Sequence, residues 1–128
     1  MEHEQIEKAR QRLRLLPRDS SARFAPAEAL LGDVGLVERM VAELMNHQIS
    51  DGEQPAPADD DVAAALVLVE QIRHQVDWLE VGVVQKARQR QMGWPQIAAA
   101  QGYKSPQAAT QRYQRLVAKL TELSNGLG

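Results

Sequence analysis

Residues 94–116, WPQIAAAQGYKSPQAATQRYQRL, contain two short helical patterns separated by a turn. Two helices that meet at a steep angle need small side chains where they touch and a residue that tolerates positive φ in the turn. Ala98 lies four residues before Gly102, and together they meet both needs. Ser105 followed by Pro106 predicts the start of the second helix, because a hydroxyl caps free N–H groups and proline suits the first helical position.

The rest of the chain also has the composition and the spacing of helices. Ala, Leu, Val and Gln are abundant, aromatic residues are scarce, and apolar residues recur at steps of three and four. Gly32 is expected to end one helix and Asp33 to cap the next. The sequence therefore predicts an all-α protein, with helices expected over residues 3–16, 25–31, 33–49 and 61–92, from 94 to the turn at Gly102, and over 106–123.

One polar segment divides the chain into regions. Residues 50–61, SDGEQPAPADDD, are acidic and contain prolines, which indicates a linker that ends in a helix cap. An N-terminal helical region (1–49), expected to pack, dimerise or contact a partner, precedes it. A C-terminal region (62–124), with a long helix and the two short helical patterns, follows it.

The long helix carries a seam of apolar residues at alternating steps of three and four. A seam of this kind either packs against residues 3–49 of its own chain or pairs with a second copy. The pattern leaves both arrangements open, and we favour a homodimer. The predicted dimerisation residues are Val62, Val69, Ile72, Val76 and Leu79.

The formal net charge of −2 conceals a strong asymmetry. Residues 1–81 carry 8 Lys and Arg against 16 Asp and Glu, whereas residues 82–128 carry 7 against 1. The basic part coincides with the two short helical patterns, where binding to nucleic acid would require neutralisation of phosphates. A solvated basic helix face is the alternative interpretation.

The pattern W-x-x-I-A-x-x-x-G-Y-x-S-x-Q-A-A-x-x-R-Y, preceded by a helix that ends in basic residues, resembles small actinobacterial helix-turn-helix regulators. More loosely, it is similar to the promoter-reading last domain of sigma factors. The resemblance covers about residues 76–120. It implies a bacterial transcriptional regulator or nucleoid-type protein that binds double-stranded DNA as a dimer, with a recognition helix of about 106–120 in the major groove. Pro106 departs from the pattern, which expects arginine or another polar residue, so sequence preference is expected to differ from that of relatives.

The resemblance and the helical spacing together assign roles to side chains. Gln107, Thr110 and Gln111 are expected to face base edges, because glutamine can pair bidentately with adenine in the major groove. Phosphate contacts, which fix register without reading sequence, are expected from Gln96, Lys104, Ser105, Arg112 and Arg115. Structural roles are expected for Ile97, Ala98, Gly102, Ala108, Ala109, Tyr113 and Leu116. Trp94 is also expected in the core, and contact with DNA is the alternative for it.

Other functional classes find little support in the sequence. The chain has no cysteine and three widely separated histidines, so neither a metal site nor thiol chemistry is expected. Without a glycine-rich phosphate loop or a catalytic triad, we expect no enzyme activity and no cofactor. No apolar run approaches 18 residues, so we expect a cytoplasmic, nucleoid-associated protein without a membrane span.

A second functional class stays open. Met40 and Met45 on the helix before the linker are expected in the core, but methionines also line adaptable partner grooves. The alternative is therefore a helical adaptor, similar to anti-sigma factors or antitoxins, that contacts protein rather than DNA. The acidic N-terminal half is a possible contact for a protein partner in either case.

Overall fold

The computed structural model describes residues 2–16, 25–49 and 57–126. Over these residues the chain forms helices and no strand, so the all-α prediction is confirmed. No helix among them is both long enough and apolar enough to cross a lipid bilayer. The helices are α1 (His3–Arg14), α2 (Ala25–Ile49), α3 (Asp59–Gln89), α4 (Trp94–Gln101) and α5 (Pro106–Gly126).

α2 is one helix where the sequence predicted two. The predicted boundary at Gly32 and Asp33 was wrong, because the helix continues through both residues for a total of 25 residues. A glycine inside a helix costs only about 1 kcal/mol. Since α2 packs against α3, tertiary contacts can outweigh that cost.

α3 begins before the predicted end of the linker at residue 61. Its residues 50–56 lie outside the described residues, whereas α3 already begins at Asp59. The Ala58 backbone N–H donates to Asp61 Oδ2 at 3.0 Å, so this aspartate caps the helix that contains it. All three consecutive aspartates lie in the first turn of α3, where negative charge is favourable to the helix dipole.

The buried core lies in the C-terminal part of the chain. Among the residues whose burial is described (2–16, 28–46 and 57–122), none before Val81 is buried, although many are half-buried. Two apolar clusters join the end of α3 to α4 and α5, and we call this packed part (residues 81–120) the C-terminal unit. Their buried members are Val81, Val84, Ile97, Ala98, Ala109, Leu116 and Leu120.

The turn between α4 and α5 has the local chemistry that the sequence predicted. Gly102 has a φ of 80°, a left-handed conformation that favours glycine. The Tyr103 backbone N–H donates to the Ala98 carbonyl at 2.8 Å and closes the end of α4. The Ser105 hydroxyl accepts a hydrogen bond from the Ala108 N–H at 3.2 Å, which confirms the predicted cap of α5.

Candidate nucleic-acid interface

Packing fixes which side of α5 faces away from the protein. Ala109, Leu116 and Leu120 are buried against α3 and α4. With 100° between successive residues of a helix, the opposite side of α5 carries Gln107 and Gln111. Both glutamines are exposed, and they lie one turn apart.

Helical spacing places one further amide on the outward side of α5, although it is not among the predicted base-reading residues. Gln114 is exposed and lies on the same face as Gln107 and Gln111. The three amides span about 10 Å along the helix axis. Thr110 differs from them, because it is half-buried and its hydroxyl donates to the Pro106 carbonyl at 3.0 Å. We call Gln107, Gln111 and Gln114 the glutamine face.

Some of the residues predicted to contact phosphate are exposed, and the others are engaged in hydrogen bonds within the chain. Lys104 and Arg115 are exposed and make no ion pair with any residue that the structure describes. Gln96 is exposed in the first turn of α4. Ser105 is half-buried, and its hydroxyl is occupied as the cap of α5.

Arg112, like Ser105, is engaged by another group of this chain, although its side chain is only half-buried. Its Nε donates to Glu80 Oε2 at 2.7 Å and its Nη2 donates to Glu80 Oε1 at 3.0 Å. Gln101 Nε2 also donates to Glu80 Oε2, at 3.4 Å. The hydrogen bonds that Arg112 donates to Glu80 raise the pKa of Arg112 above its usual value. The pair ties α5 to α3, and a phosphate would have to compete with a bidentate carboxylate for the same donors.

A second ion pair also ties α5 to α3, further along α5. Lys119 Nζ donates to Asp77 Oδ2 at 3.0 Å. Asp77 and Glu80 belong to the acidic residues 1–81, whereas their partners Lys119 and Arg112 belong to the basic residues 82–128. The charges of the two parts of the sequence, counted separately, therefore conceal these pairs. The positive charge available to an external ligand is therefore smaller than the sequence suggests.

Trp94 lies at the edge of the core, as the sequence led us to expect. It is half-buried, it packs against the buried cluster, and its ring centroid lies 5.8 Å from that of Tyr113. The Arg88 guanidinium lies 5.2 Å from the Trp94 ring centroid and donates to the Met92 carbonyl at 2.9 Å. The end of α3 and the start of α4 are thus held together by a cation–π contact and a hydrogen bond.

The predicted dimerisation seam on α3 has two different environments. Val62, Val69 and Ile72 are half-buried in a helix against which α2 packs. Val76 and Leu79 are 46% and 49% exposed. The first part of the seam thus has intramolecular contacts, whereas the second part leaves much of its apolar surface uncovered.

Comparisons with known protein families, with curated proteins and with solved structures found no match. The chemistry of the surface is therefore the basis for any functional conclusion. Among the described residues, no group of three or more His, Asp or Glu side chains is arranged to hold a metal ion.

An apolar groove lies on the C-terminal unit between α3 and α4. It has a volume of about 360 Å³, and polar atoms contribute almost nothing to its surface. Val83, which is 69% exposed, is one of its lining residues. Its other apolar walls are Val84, Ala87, Met92, Ile97 and Ala100.

Proposed function

We propose that this chain binds double-stranded DNA through a helix-turn-helix formed by α4 and α5, with α5 in the major groove. The observation that carries the proposal is the glutamine face, because α5 is packed on one side and presents three exposed amides on the other. An α-helix fits the major groove, where each base pair offers a distinct pattern of donors and acceptors. The turn at Gly102 and the cap at Ser105 give α5 a defined start close to this face.

Gln107 and Gln111 are the proposed base-reading residues, and Gln114 extends the same face. Each amide has a donor and an acceptor, which match adenine N7 and N6, and a bidentate contact contributes about 1–3 kcal/mol of discrimination. Thr110 has its hydroxyl bonded within the helix, so its proposed contribution to base reading is an apolar contact of its methyl group.

Lys104 and Arg115 are the proposed phosphate ligands with free charges, and they lie on either side of Gln107 and Gln111 in the sequence. Gln96 and Ser105 would contribute hydrogen bonds at the starts of α4 and α5, where helix N-termini favour anions. We assign Arg112 to the interface between α3 and α5 instead, because Glu80 holds it bidentately.

The proposed biological role is that of a bacterial transcriptional regulator or nucleoid-type protein that acts in the cytoplasm as a homodimer. A two-fold dimer would place two copies of α5 about one helical turn of DNA apart on a pseudo-palindromic site. The proposal requires neither a cofactor nor enzyme activity.

A second candidate function is supported by the apolar groove between α3 and α4. An amphipathic helix of another protein can bind such a groove through apolar side chains. On this alternative the chain is a helical adaptor, and the acidic N-terminal half offers a further surface for a protein partner.

Fluorescence anisotropy of a labelled random-sequence duplex pool, titrated with the full chain at several salt concentrations, tests the proposal. Lys104→Ala and Arg115→Ala should weaken binding to all sequences, and each should reduce the slope of log affinity against log salt by about 0.9. Gln111→Ala should leave that slope unchanged and relax base preference at one position of sites selected from the pool. Arg73→Ala, on the exposed surface of α3, is the matched control.

The two candidate functions give opposite results in this experiment. Absence of binding at low salt would overturn the DNA-binding proposal and leave the adaptor. Binding that the Lys104, Arg115 and Gln111 variants do not alter would show that DNA contacts another surface. An apolar contact in the groove should respond to Val83→Asp and hardly at all to salt.

A further inference from the structure

The three amides of the glutamine face lie close to the centre of the outward side of α5. They are about 140–160° around the helix from the mean direction of its buried residues, and within about 60° of one another. The buried residues that set this direction are Ala109, Leu116 and Leu120. Each amide is exposed, and none makes a hydrogen bond with any residue that the structure describes. Their donors and acceptors are therefore free to meet an external ligand.

The basic side chains of α5 lie to one side of this face. Arg112 and Lys119 point towards α3, where Glu80 and Asp77 hold them. Arg115 lies on the same flank, about 60° from the centre of the outward side, so it is placed at an edge of the groove rather than over the bases. Arginine and lysine are the side chains that pair bidentately with guanine O6 and N7. The centre of the face carries neither.

The glutamine face also lacks a carboxylate. Residues 106–121 contain no Asp or Glu, and the first acidic residue of α5 is Glu122. Glu122 lies about 12 Å along the helix axis beyond Gln114, outside the span of the three amides. Aspartate and glutamate are the side chains that accept a hydrogen bond from cytosine N4. The face therefore has the usual partner for neither base of a G·C pair.

An amide that makes both of its hydrogen bonds to one base selects adenine. In the major groove adenine presents the acceptor N7 beside the donor N6, whereas guanine presents two acceptors and cytosine a donor alone. Thymine presents an acceptor and a methyl group. Thr110 lies beside the amides, and its hydroxyl is occupied by the Pro106 carbonyl, so its methyl group is left to contact that of thymine. The available groups match the two bases of an A·T pair.

The spacing of these side chains suits successive base pairs. Gln107, Thr110, Gln111 and Gln114 follow the pattern i, i+3, i+4 and i+7, which recognition helices use to contact base edges. The distance from Gln107 to Gln114 is about 10 Å along the helix axis. Base pairs are about 3.4 Å apart along DNA, so the face spans about four of them.

We propose that α5 selects A·T-rich DNA, with the glutamine face reading adenines within a run of about four A·T base pairs. The inference rests on the proposed function and names the class of sequence that its site binds. Lys104 and Arg115 add affinity through phosphates without adding base preference. The exclusion of G·C pairs depends on the ion pairs with α3, because these pairs hold Arg112 and Lys119 away from the bases.

Adenine analogues test the contacts in the major groove. Sites that the full chain selects from a random duplex pool should contain runs of A·T pairs. Fluorescence anisotropy then compares a selected duplex with copies in which one adenine at a time is replaced by 7-deazaadenine, which lacks the N7 acceptor and keeps the Watson–Crick edge. Each replacement at a contacted adenine should weaken binding about ten-fold. Replacement of flanking guanines by 7-deazaguanine should leave the affinity unchanged.

Variants of one glutamine connect each base contact to its side chain. Gln111→Ala should lose the response to 7-deazaadenine at one position and keep it at the others. Gln111→Arg should change the preferred base at that position from adenine to guanine, because a guanidinium pairs with guanine O6 and N7. Gln85→Ala removes an exposed amide from α3 and is the matched control, which should alter neither measurement. Circular dichroism of each variant verifies that the helices are retained.

Failure of this inference is distinguishable from failure of the proposed function. Absence of binding to any duplex at low salt would overturn the proposed function, and the inference with it. Salt-dependent binding without base preference would overturn the inference alone, as would a preference for guanine that Arg115→Ala abolishes. A preference for A·T pairs that 7-deazaadenine does not weaken would place the reading in the minor groove and would also overturn it.

Discussion

The pair between Arg112 and Glu80 gives the sharpest prediction about how α5 is held against α3. Two charge-assisted hydrogen bonds of 2.7 and 3.0 Å join the side chains, which are 40% and 21% exposed. Fully exposed pairs contribute about 0.2–1 kcal/mol, and hydrogen bonds to charged groups contribute about 1.5–3 kcal/mol. For this partly screened, bidentate pair we expect a coupling energy of about 1–2 kcal/mol.

A double-mutant cycle with Arg112→Met, Glu80→Gln and the double variant measures that coupling. The free energy of unfolding is obtained from urea titrations at a fixed protein concentration, because association also contributes to stability. Arg115→Met is the matched control, since Arg115 lies on the same helix, is exposed and has no ion pair among the described residues. Its unfolding free energy should change by less than about 0.5 kcal/mol.

The opposite pattern would refute the structural assignment of Arg112. A coupling below about 0.3 kcal/mol, with Arg112→Met no more destabilising than Arg115→Met, would mean that the Glu80 pair contributes little. If Arg112→Met also reduced the salt dependence of DNA binding by the amount expected for one phosphate, the original sequence prediction would be correct.

Three further changes test local features of the same unit. Gly102→Ala should lower the unfolding free energy by about 1–2 kcal/mol, because φ there is 80° and alanine is strained in that region; thermal unfolding measures the shift. Gln91→Gly should raise it by about 0.5 kcal/mol, since Gln91 has a φ of 65° and the relief of strain exceeds the added entropy of the unfolded chain. Leu120→Ala should cost about 2–5 kcal/mol in urea unfolding, because Leu120 is only 3% exposed; a loss below about 1 kcal/mol would contradict its place in the core.

Features that depend on neighbouring residues could be predicted from the sequence. The start of α5 at Pro106 follows from the hydroxyl of Ser105 before it. The end of α4 follows from Gly102, because glycine adopts a φ of 80° without strain. The core positions of α5 follow from their spacing, and Leu116 and Ala109 are buried as expected. Local chemistry and helical period are sufficient for such features.

Features that depend on packing between distant residues could not be predicted in this way. Glu80 and Arg112 are 32 residues apart in the sequence, so nothing local indicates that they pair. Gly32 looks like a helix end until the packing of α2 against α3 is known. Helical spacing alone puts Gln114 on the side of α5 that carries Gln107 and Gln111, but the predicted base contacts were limited to the first turns, whereas the packed side of α5 determines how far the outward face extends.

The most direct test of the central claim is a titration of the ¹⁵N-labelled full chain with a short DNA duplex, followed by two-dimensional NMR. If α5 enters the major groove, the largest shifts of amide signals should lie between Lys104 and Arg115, together with the side-chain amides of Gln107 and Gln111. Residues of α2 and of the groove around Val83 should change little. Shifts concentrated in that groove, or no shifts at low salt, would contradict DNA binding through α5.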